Sequence, residues 1–295
     1  MSDTIASPSV RKRAGDRGID IDALAKELGR ETITMDDLDS KGGGQAQAAP
    51  AGDTSYWDVD HSAYGPVTEE AVSRFSRTAA RNLSAANTLI PQVTHHEEAE
   101  VTAIEALRSS WRDEAKARGV KLTALAFHVK ALAKTLRAFP NFNASLSPDG
   151  ATLYRKDFVH IGIAVDTPYG LMVPVIRDAD RKGLWQLASE IADLAARAQA
   201  RKIGPDEMGG ASMSISSLGG IGGTAFTPIV NPPELAILGL TRTYTATRWT
   251  EGTPEPVPML PIDLSYDHRA LNGADAARFA AHLKRLIEDP RRMMI

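Results

Sequence analysis

The segment Leu260-Pro261-Ile262-Asp263-Leu264-Ser265-Tyr266-Asp267-His268-Arg269-Ala270-Leu271-Asn272-Gly273 changes its period midway. Leu260, Ile262, Leu264, Tyr266 and His268 share one face of a period-2 strand. Asn272 and Gly273 then turn the chain, with the asparagine in a helix-cap position. Residues 274–287 read as a helix with Phe279, Leu283 and Leu286 on one side. A histidine at a strand end just before a helix can be held rigidly and aimed into a cleft. That suits a general base, because an imidazole titrates near neutrality. A histidine on a strand's inner face is more often structural, so residues 267–273 alone leave both readings open.

Working outward, helices are expected at 69–85, 102–118, 122–138 and 183–200, and strands at 92–97, 159–166, 172–177, 212–217 and 260–268. Their uneven alternation favours an α/β or α+β sandwich over a repeated barrel, and no internal repeat is visible. The 295 residues allow one large domain and a small one. Lys and Arg total 34 against 37 Asp and Glu, a net charge of −3 that gives no hint of general nucleic-acid binding. The absence of cysteine excludes disulfides, thiolate catalysis and thiolate metal sites. No apolar run approaches membrane-spanning length, and residues 1–8 lack a signal-peptide core. A bacterial cytoplasmic protein is expected, or a mitochondrial matrix protein if a transit peptide has been removed.

The composition breaks at 39–53, where Lys41-Gly42-Gly43-Gly44-Gln45-Ala46-Gln47-Ala48-Ala49-Pro50-Ala51-Gly52 has no large apolar residue and reads as a linker. The expected division is 1–38, a linker and lead-in at 39–65, and 66–295. In the N-terminal piece Pro8 opens a helix starting at Ser7 with Val10 and Ala14 inward, and Thr34 caps a second through Met35 and Leu38. Ile19, Ile21, Leu24 and Leu28 supply the apolar surface between them. So small a helical unit suits partner binding. A DNA-binding helix-turn-helix is disfavoured, because Arg11-Lys12-Arg13 is offset by many acidic residues.

His95-His96-Glu97-Glu98 invites a metal reading, but neighbouring strand residues point to opposite faces and chelate one ion poorly. Residues 161–175 read as a hairpin of two apolar strands with a Pro/Gly turn. In Ser212-Met213-Ser214-Ile215-Ser216-Ser217-Leu218-Gly219-Gly220-Ile221-Gly222-Gly223, serines alternate with apolar residues before a glycine-rich loop. Neither a phosphate loop nor a nucleophile elbow fits its spacing. A serine here could hydrogen-bond an oxyanion, or the segment could be a tight strand end.

Together these stretches resemble the acyltransferase component of 2-oxo acid dehydrogenase complexes, most closely its pyruvate-type acetyltransferases. The resemblance runs from about Thr88 to the C-terminus. It includes Ile90-Pro91-Gln92-Val93-Thr94, Asn141-Phe142-Asn143-Ala144-Ser145-Leu146, the hairpin, the Ser/Gly segment, Thr224-Ala225-Phe226-Thr227-Pro228 and Pro228-Ile229-Val230-Asn231-Pro232-Pro233-Glu234. Ala6-Ser7-Pro8-Ser9-Val10-Arg11-Lys12 and Ile33-Thr34-Met35-Asp36-Asp37-Leu38 resemble that family's peripheral subunit-binding domain. The family's loop arginine falls on Thr32, with Arg30 nearby. Its lipoyl domain has no counterpart in this sequence, so the lipoyl arm is expected from another chain or a longer parent.

The resemblance implies a chloramphenicol acetyltransferase-like α/β fold and acyl transfer between dihydrolipoamide and coenzyme A. His268 matches the general base, Ser216 the oxyanion donor, and Asn272 a neutral hydrogen-bonding partner. Asp267 and Arg269 are expected to form an ion pair. Coenzyme A is a substrate, the lipoyl group arrives in trans, and no metal is implied. Ser9, Arg11, Lys12 and Arg30 would dock dihydrolipoamide dehydrogenase or the 2-oxo acid decarboxylase component. Homotrimers, with the histidine and serine of each site on different chains, would assemble into a larger core through Met293, Met294 and Ile295. No nucleic acid or membrane partner is implied. A weakly catalytic scaffold, or a soluble acyltransferase using another acceptor, are the alternatives.

Overall fold

The computed structural model of the chain describes residues 4–16, 18–34, 37–38, 57 and 59–294. Contacts divide the chain into Met1–Glu69 and Glu70–Ile295. Most of the expected linker, 39–56 and 58, lies outside the described residues, as do Met35, Asp36 and Ile295.

In the first unit, helix α1 (Pro8–Asp16) carries its proline in the first turn, and Ser7 Oγ accepts the Val10 N–H at 3.3 Å. Helix α2 (Ile21–Leu28) falls where no helix was expected. Asp20 caps it by accepting the Asp22 and Ala23 N–H groups at 2.9 and 3.2 Å, and Gly29 ends it at φ 64°. Of the helix expected after Thr34, only Asp37 and Leu38 are described. The Thr34 N–H and hydroxyl both donate to Asp37 Oδ2 at 2.8 Å. Val10, Ala14, Leu24, Ala25, Ile33 and Leu38 form the core. Leu28, at the last position of α2, is 40% exposed and stands outside it.

In the second unit the helices are α3 (Arg74–Leu89), α4 (Thr102–Ser110), α5 (Arg112–Ala117), α6 (Ala124–Ala138), α7 (Leu184–Gln199) and α8 (Gly273–Glu288). The strands are β1 (Gln92–Glu100), β2 (Ala144–Leu146), β3 (Leu153–Arg155), β4 (Ile161–Ile163), β5 (Val175–Ile176), β6 (Met213–Ser217), β7 (Ala236–Leu240), β8 (Tyr244–Thr250) and β9 (Thr253–Asp267). Among the described residues, seven strands form a mixed sheet in the order β1-β9-β7-β6-β4-β5, with β8 also paired to β9. Only β4/β6 and β6/β7 are parallel. β2 and β3 form a separate antiparallel pair. This is the expected mixed α/β class.

Local chemistry explains several boundaries. α3 starts at Arg74 rather than residue 69, because Ser73 Oγ accepts the Ser76 N–H at 3.0 Å and caps it there. The helix expected over 102–118 breaks at Trp111, whose ring packs 6.4 Å from Phe127 and 5.7 Å from Trp185. The hairpin at 161–175 is present. β4 pairs with β5, Val165 bridges Met172, and the Thr167 hydroxyl donates to the Gly170 carbonyl at 2.6 Å.

Alternation along β9 sorts the sheet into two faces. Leu260, Ile262, Leu264 and Tyr266 join the main core with Phe127 and Leu132 of α6 and Phe279 and Leu283 of α8. Each large apolar side chain buried there contributes about 1.5–3 kcal/mol. α6 packs against both α7 and α8 and is buried on nearly every side. Met293 corrects an expectation. It is 1% exposed and packs in this same core, because the turn Pro290–Met293 returns against α6 and α8. It is therefore not free to contact another chain, whereas Met294 is 50% exposed.

The opposite face carries Asp263, Ser265 and Asp267, all buried. It is covered by the end of α3 and by residues 224–235. Ala86, Ile90, Val230 and Ile237 form a second small core there. Polar groups of the sheet hold the covering backbone: the Phe226 N–H donates to Asp263 Oδ2 at 3.2 Å and the Val230 N–H to Gln92 Oε1 at 2.6 Å. Gly239 faces the Phe226 ring, where an added Cβ would lie 2.7 Å from Cε1 and 3.1 Å from the Asp263 Cβ. Gly239→Ala is expected to lower the unfolding free energy by about 1–3 kcal/mol in urea titrations. Phe226→Ala in the same chain should remove most of that added loss, and strictly additive losses would contradict the contact.

Candidate active site

His268 is fixed by its backbone. It follows the last residue of β9, and its N–H donates to the Pro91 carbonyl at 3.1 Å while the Asp267 N–H donates to the Leu235 carbonyl at 2.8 Å. The buried Asp267 carboxylate accepts from the Arg269 backbone N–H at 3.0 Å and from Arg269 Nη2 at 2.7 Å. The Ala270 and Leu271 N–H groups return to the Asp267 carbonyl at 3.1 and 3.0 Å. This ion-paired turn leaves the His268 ring exposed, 5.9 Å from the Tyr266 ring. Asn272 caps α8, its Oδ1 accepting the Asp275 N–H at 3.0 Å. The cap engages the side-chain oxygen and leaves the amide NH2 as the group available to a ligand.

The three alternating serines have different fates. Ser212 Oγ accepts the His160 N–H at 3.1 Å and lies 3.3 Å from the Phe158 carbonyl. The Ser214 hydroxyl donates to Glu234 Oε1 at 2.9 Å. Ser216, half-buried near the end of β6, has no hydrogen-bonding partner for its hydroxyl among the described residues. An uncommitted hydroxyl on a rigid strand can donate to an incoming oxyanion without first breaking a bond.

Register separates the two residues within one chain. Ser216 pairs with Gly239, which pairs with Asp263 on β9, and His268 lies five positions further along. At ~3.3 Å per residue and ~4.8 Å per strand, they stand roughly 15–20 Å apart. The structure thus brings His268 and Asn272 together at one turn and puts Ser216 elsewhere, so one chain alone cannot place the imidazole and this hydroxyl on one reacting group.

Sequence reasoning passed over two buried acids, Asp263 on β9 and Glu234 in the turn before β7. Asp263 Oδ1 lies 2.6 Å from His96 Nδ1, on the same strand face as Ser216 and Gly239. Glu234 is 5% exposed, and Asn231 Nδ2 also donates to its Oε1, at 3.3 Å. Its Oε2 is buried and lacks a partner among the described residues. Burial pushes the Glu234 carboxyl up to about 7, against smaller lowering contributions from Ser214, Asn231 and Lys156. The signals were a lone acid inside an alternating apolar strand and an acid just after two prolines. His128 is also buried, and desolvation lowers its imidazole to about 4, which keeps it neutral. Among the described residues no cluster of three or more His, Asp or Glu side chains could hold a metal ion.

Glu234 couples folding to proton binding. Its carboxyl is raised in the folded chain, so its contribution to stability is complete below about 4.5 and is lost as pH rises through about 7. Between pH 6 and pH 8 the wild-type protein should lose roughly 1 kcal/mol that Glu234→Gln does not lose, measured by urea unfolding. Parallel pH profiles for the two proteins would contradict this.

The family described as 2-oxoacid dehydrogenases acyltransferase (catalytic domain) matches residues 64–295. The dihydrolipoyllysine-residue acetyltransferase component of the Pseudomonas aeruginosa pyruvate dehydrogenase complex is 44% identical over 299 residues, covering 98% of this chain and 55% of that protein. The chain spans about half the length of the curated relatives it matches first. A solved structure of Azotobacter vinelandii dihydrolipoamide acetyltransferase is 48% identical with a TM-score of 0.78, covering 80% of this chain and 98% of that one. The cubic core of a pyruvate dehydrogenase multienzyme complex is 49% identical, also with a TM-score of 0.78 and the same coverage.

Proposed function

Because the chain belongs to the family of 2-oxoacid dehydrogenase acyltransferases, we propose that it transfers an acetyl group between dihydrolipoamide and coenzyme A. The observation that carries this reading is that one chain presents both an exposed imidazole on a clamped turn and, at a distance from it, an uncommitted strand hydroxyl. The study of the A. vinelandii enzyme concerns the catalytic role of a serine, a histidine and an asparagine with the same sequence spacing as Ser216, His268 and Asn272.

A free thiol titrates near 8.5 and is mostly protonated at neutral pH, so thiolate attack needs a base. His268 takes the proton from the coenzyme A thiol. The thiolate forms a C–S bond to the carbonyl carbon of the acetyl-dihydrolipoyl thioester, and the carbonyl oxygen becomes an oxyanion. Ser216 donates its hydroxyl hydrogen to that oxyanion, a bond worth about 2.7–4 kcal/mol at the transition state. Collapse breaks the C–S bond to the dihydrolipoyl sulfur, and His268 returns its proton to that sulfur. The Asn272 amide orients the thiol or the imidazole.

The separation of Ser216 from His268 within one chain supports a site built between neighbouring copies, in a cyclic trimer assembling into a larger core. Met294 and Ile295 would contact other chains. The lipoyl group would arrive on a separate domain. The first unit would dock dihydrolipoamide dehydrogenase or the decarboxylase component through α1. Arg11 and Lys12 are exposed there, and Arg11 Nη2 donates to the Thr4 carbonyl at 2.6 Å. Ser9 lies in the same helix. Arg30 adds less, because Asp37 pairs with its guanidinium.

His268→Ala should lower kcat for transfer from acetyl-CoA to free dihydrolipoamide about 100- to 10,000-fold. Ser216→Ala should lower it about 100- to 1,000-fold, with KM nearly unchanged in both. Unaltered turnover in His268→Ala would remove it as the base. A rise in KM alone for Ser216→Ala would remove the oxyanion role.

A further inference from the structure

Glu234 is a buried titratable group that this mechanism does not use. It lies between two elements. Its Oε1 accepts the Ser214 hydroxyl of β6 at 2.9 Å and the Asn231 amide of the covering segment at 3.3 Å. Its own N–H donates to the Asn231 carbonyl at 3.0 Å, so residues 231–234 form a small closed turn. Space for the contact is built in. Ser214 pairs with Gly162, and a Cβ at Gly162 would sit 2.3 Å from Ser214 Oγ. Ser214 precedes Ser216 by two positions, so both project from the same strand face.

We propose that Glu234 is a positioning residue for acyl transfer: through Ser214, its buried carboxyl group anchors β6 to the turn preceding β7 and so sets where the Ser216 hydroxyl stands. This rests on the acyl-transfer reading above. It adds a residue that touches neither substrate and works through Ser214.

The carboxyl group acts in its neutral form. Its second oxygen, Oε2, is buried without a partner among the described residues, and a bare carboxylate oxygen there would be poorly solvated. Lys156 is the charged group that bears on it, and the Lys156 ammonium donates to the Ala211 carbonyl at 2.9 Å. A neutral glutamine can accept the same two hydrogen bonds through its carbonyl oxygen, whereas alanine can accept neither.

The test compares wild type with Glu234→Gln, Glu234→Ala, Ser214→Ala and the Ser214→Ala/Glu234→Ala double variant. Turnover of acetyl-CoA with free dihydrolipoamide is measured from pH 6 to 9, and assembly by sedimentation. Glu234→Ala and Ser214→Ala should each lower kcat roughly 10- to 100-fold, because a displaced donor loses its alignment. KM should stay within about threefold of wild type. The double variant should lose no more than the worse single one. Glu234→Gln should retain turnover, and its ratio to wild type should rise as pH increases above neutrality. If Glu234→Ala fails to assemble, Glu234→Gln and Ser214→Ala carry the test. Glutamine as damaging as alanine, additive losses, or losses confined to KM would overturn the proposal. Wild-type transfer with full turnover in Ser214→Ala and Glu234→Ala would overturn it alone. No transfer by wild type would overturn the acyl-transfer reading and this proposal with it.

Discussion

Strand β9 is paired along both edges, with Gln92–Glu100 on one side and Ala236–Leu240 on the other, and this register places both candidate catalytic side chains. A slip of one residue would turn Asp263 and Asp267 into the helix layer and push Leu264 and Tyr266 towards the covering segment. Burying two carboxylates without their partners costs far more than any local preference could offset. The same register carries His268 past the strand end at Pro91, and through β7 it aligns Ser216 with Gly239. The separation between imidazole and hydroxyl is thus a property of the sheet rather than of a flexible loop.

Three buried acids lie on or beside the sheet's polar face, and each is satisfied differently. Asp267 takes the Arg269 guanidinium and closes the turn that bears His268. Asp263 is shared between His96 on β1 and the Phe226 backbone. Glu234 has one oxygen engaged and one without a partner. The first two accept hydrogen bonds from local donors at both oxygens, whereas burial pushes the third up to about 7. A polar network of this kind narrows the covering segment to one arrangement, because each misplaced donor would leave a buried acceptor unpaired.

The alternating residues from Leu260 to Tyr266 made β9 legible in the sequence, and the Asn272 cap made α8 legible. β7 was missed because Ala236–Leu240 is buried throughout and has no alternation to read. β8 was missed for the opposite reason: nearly all its residues are exposed, so no apolar face marks it. The Trp111 break depends on rings from α6 and α7, which lie distant in sequence. Ser216 could be chosen among three serines only by resemblance. Its free hydroxyl emerges once Ser212 and Ser214 are seen to be engaged. Asp263 and Glu234 gained meaning only when residues from other strands arrived beside them. Met293 read as part of an apolar tail because a four-residue turn gives little sequence signal of doubling back.

The most direct test of the divided site uses two inactive proteins. His268→Ala chains and Ser216→Ala chains are unfolded together, refolded as mixed assemblies and assayed for acetyl transfer. If each site takes its imidazole from one chain and its hydroxyl from the next, about a quarter of the sites in randomly mixed rings combine two intact partners. The account predicts recovery of about that fraction of wild-type turnover. Mixed assemblies as inactive as either parent, with oligomers of normal size, would contradict it.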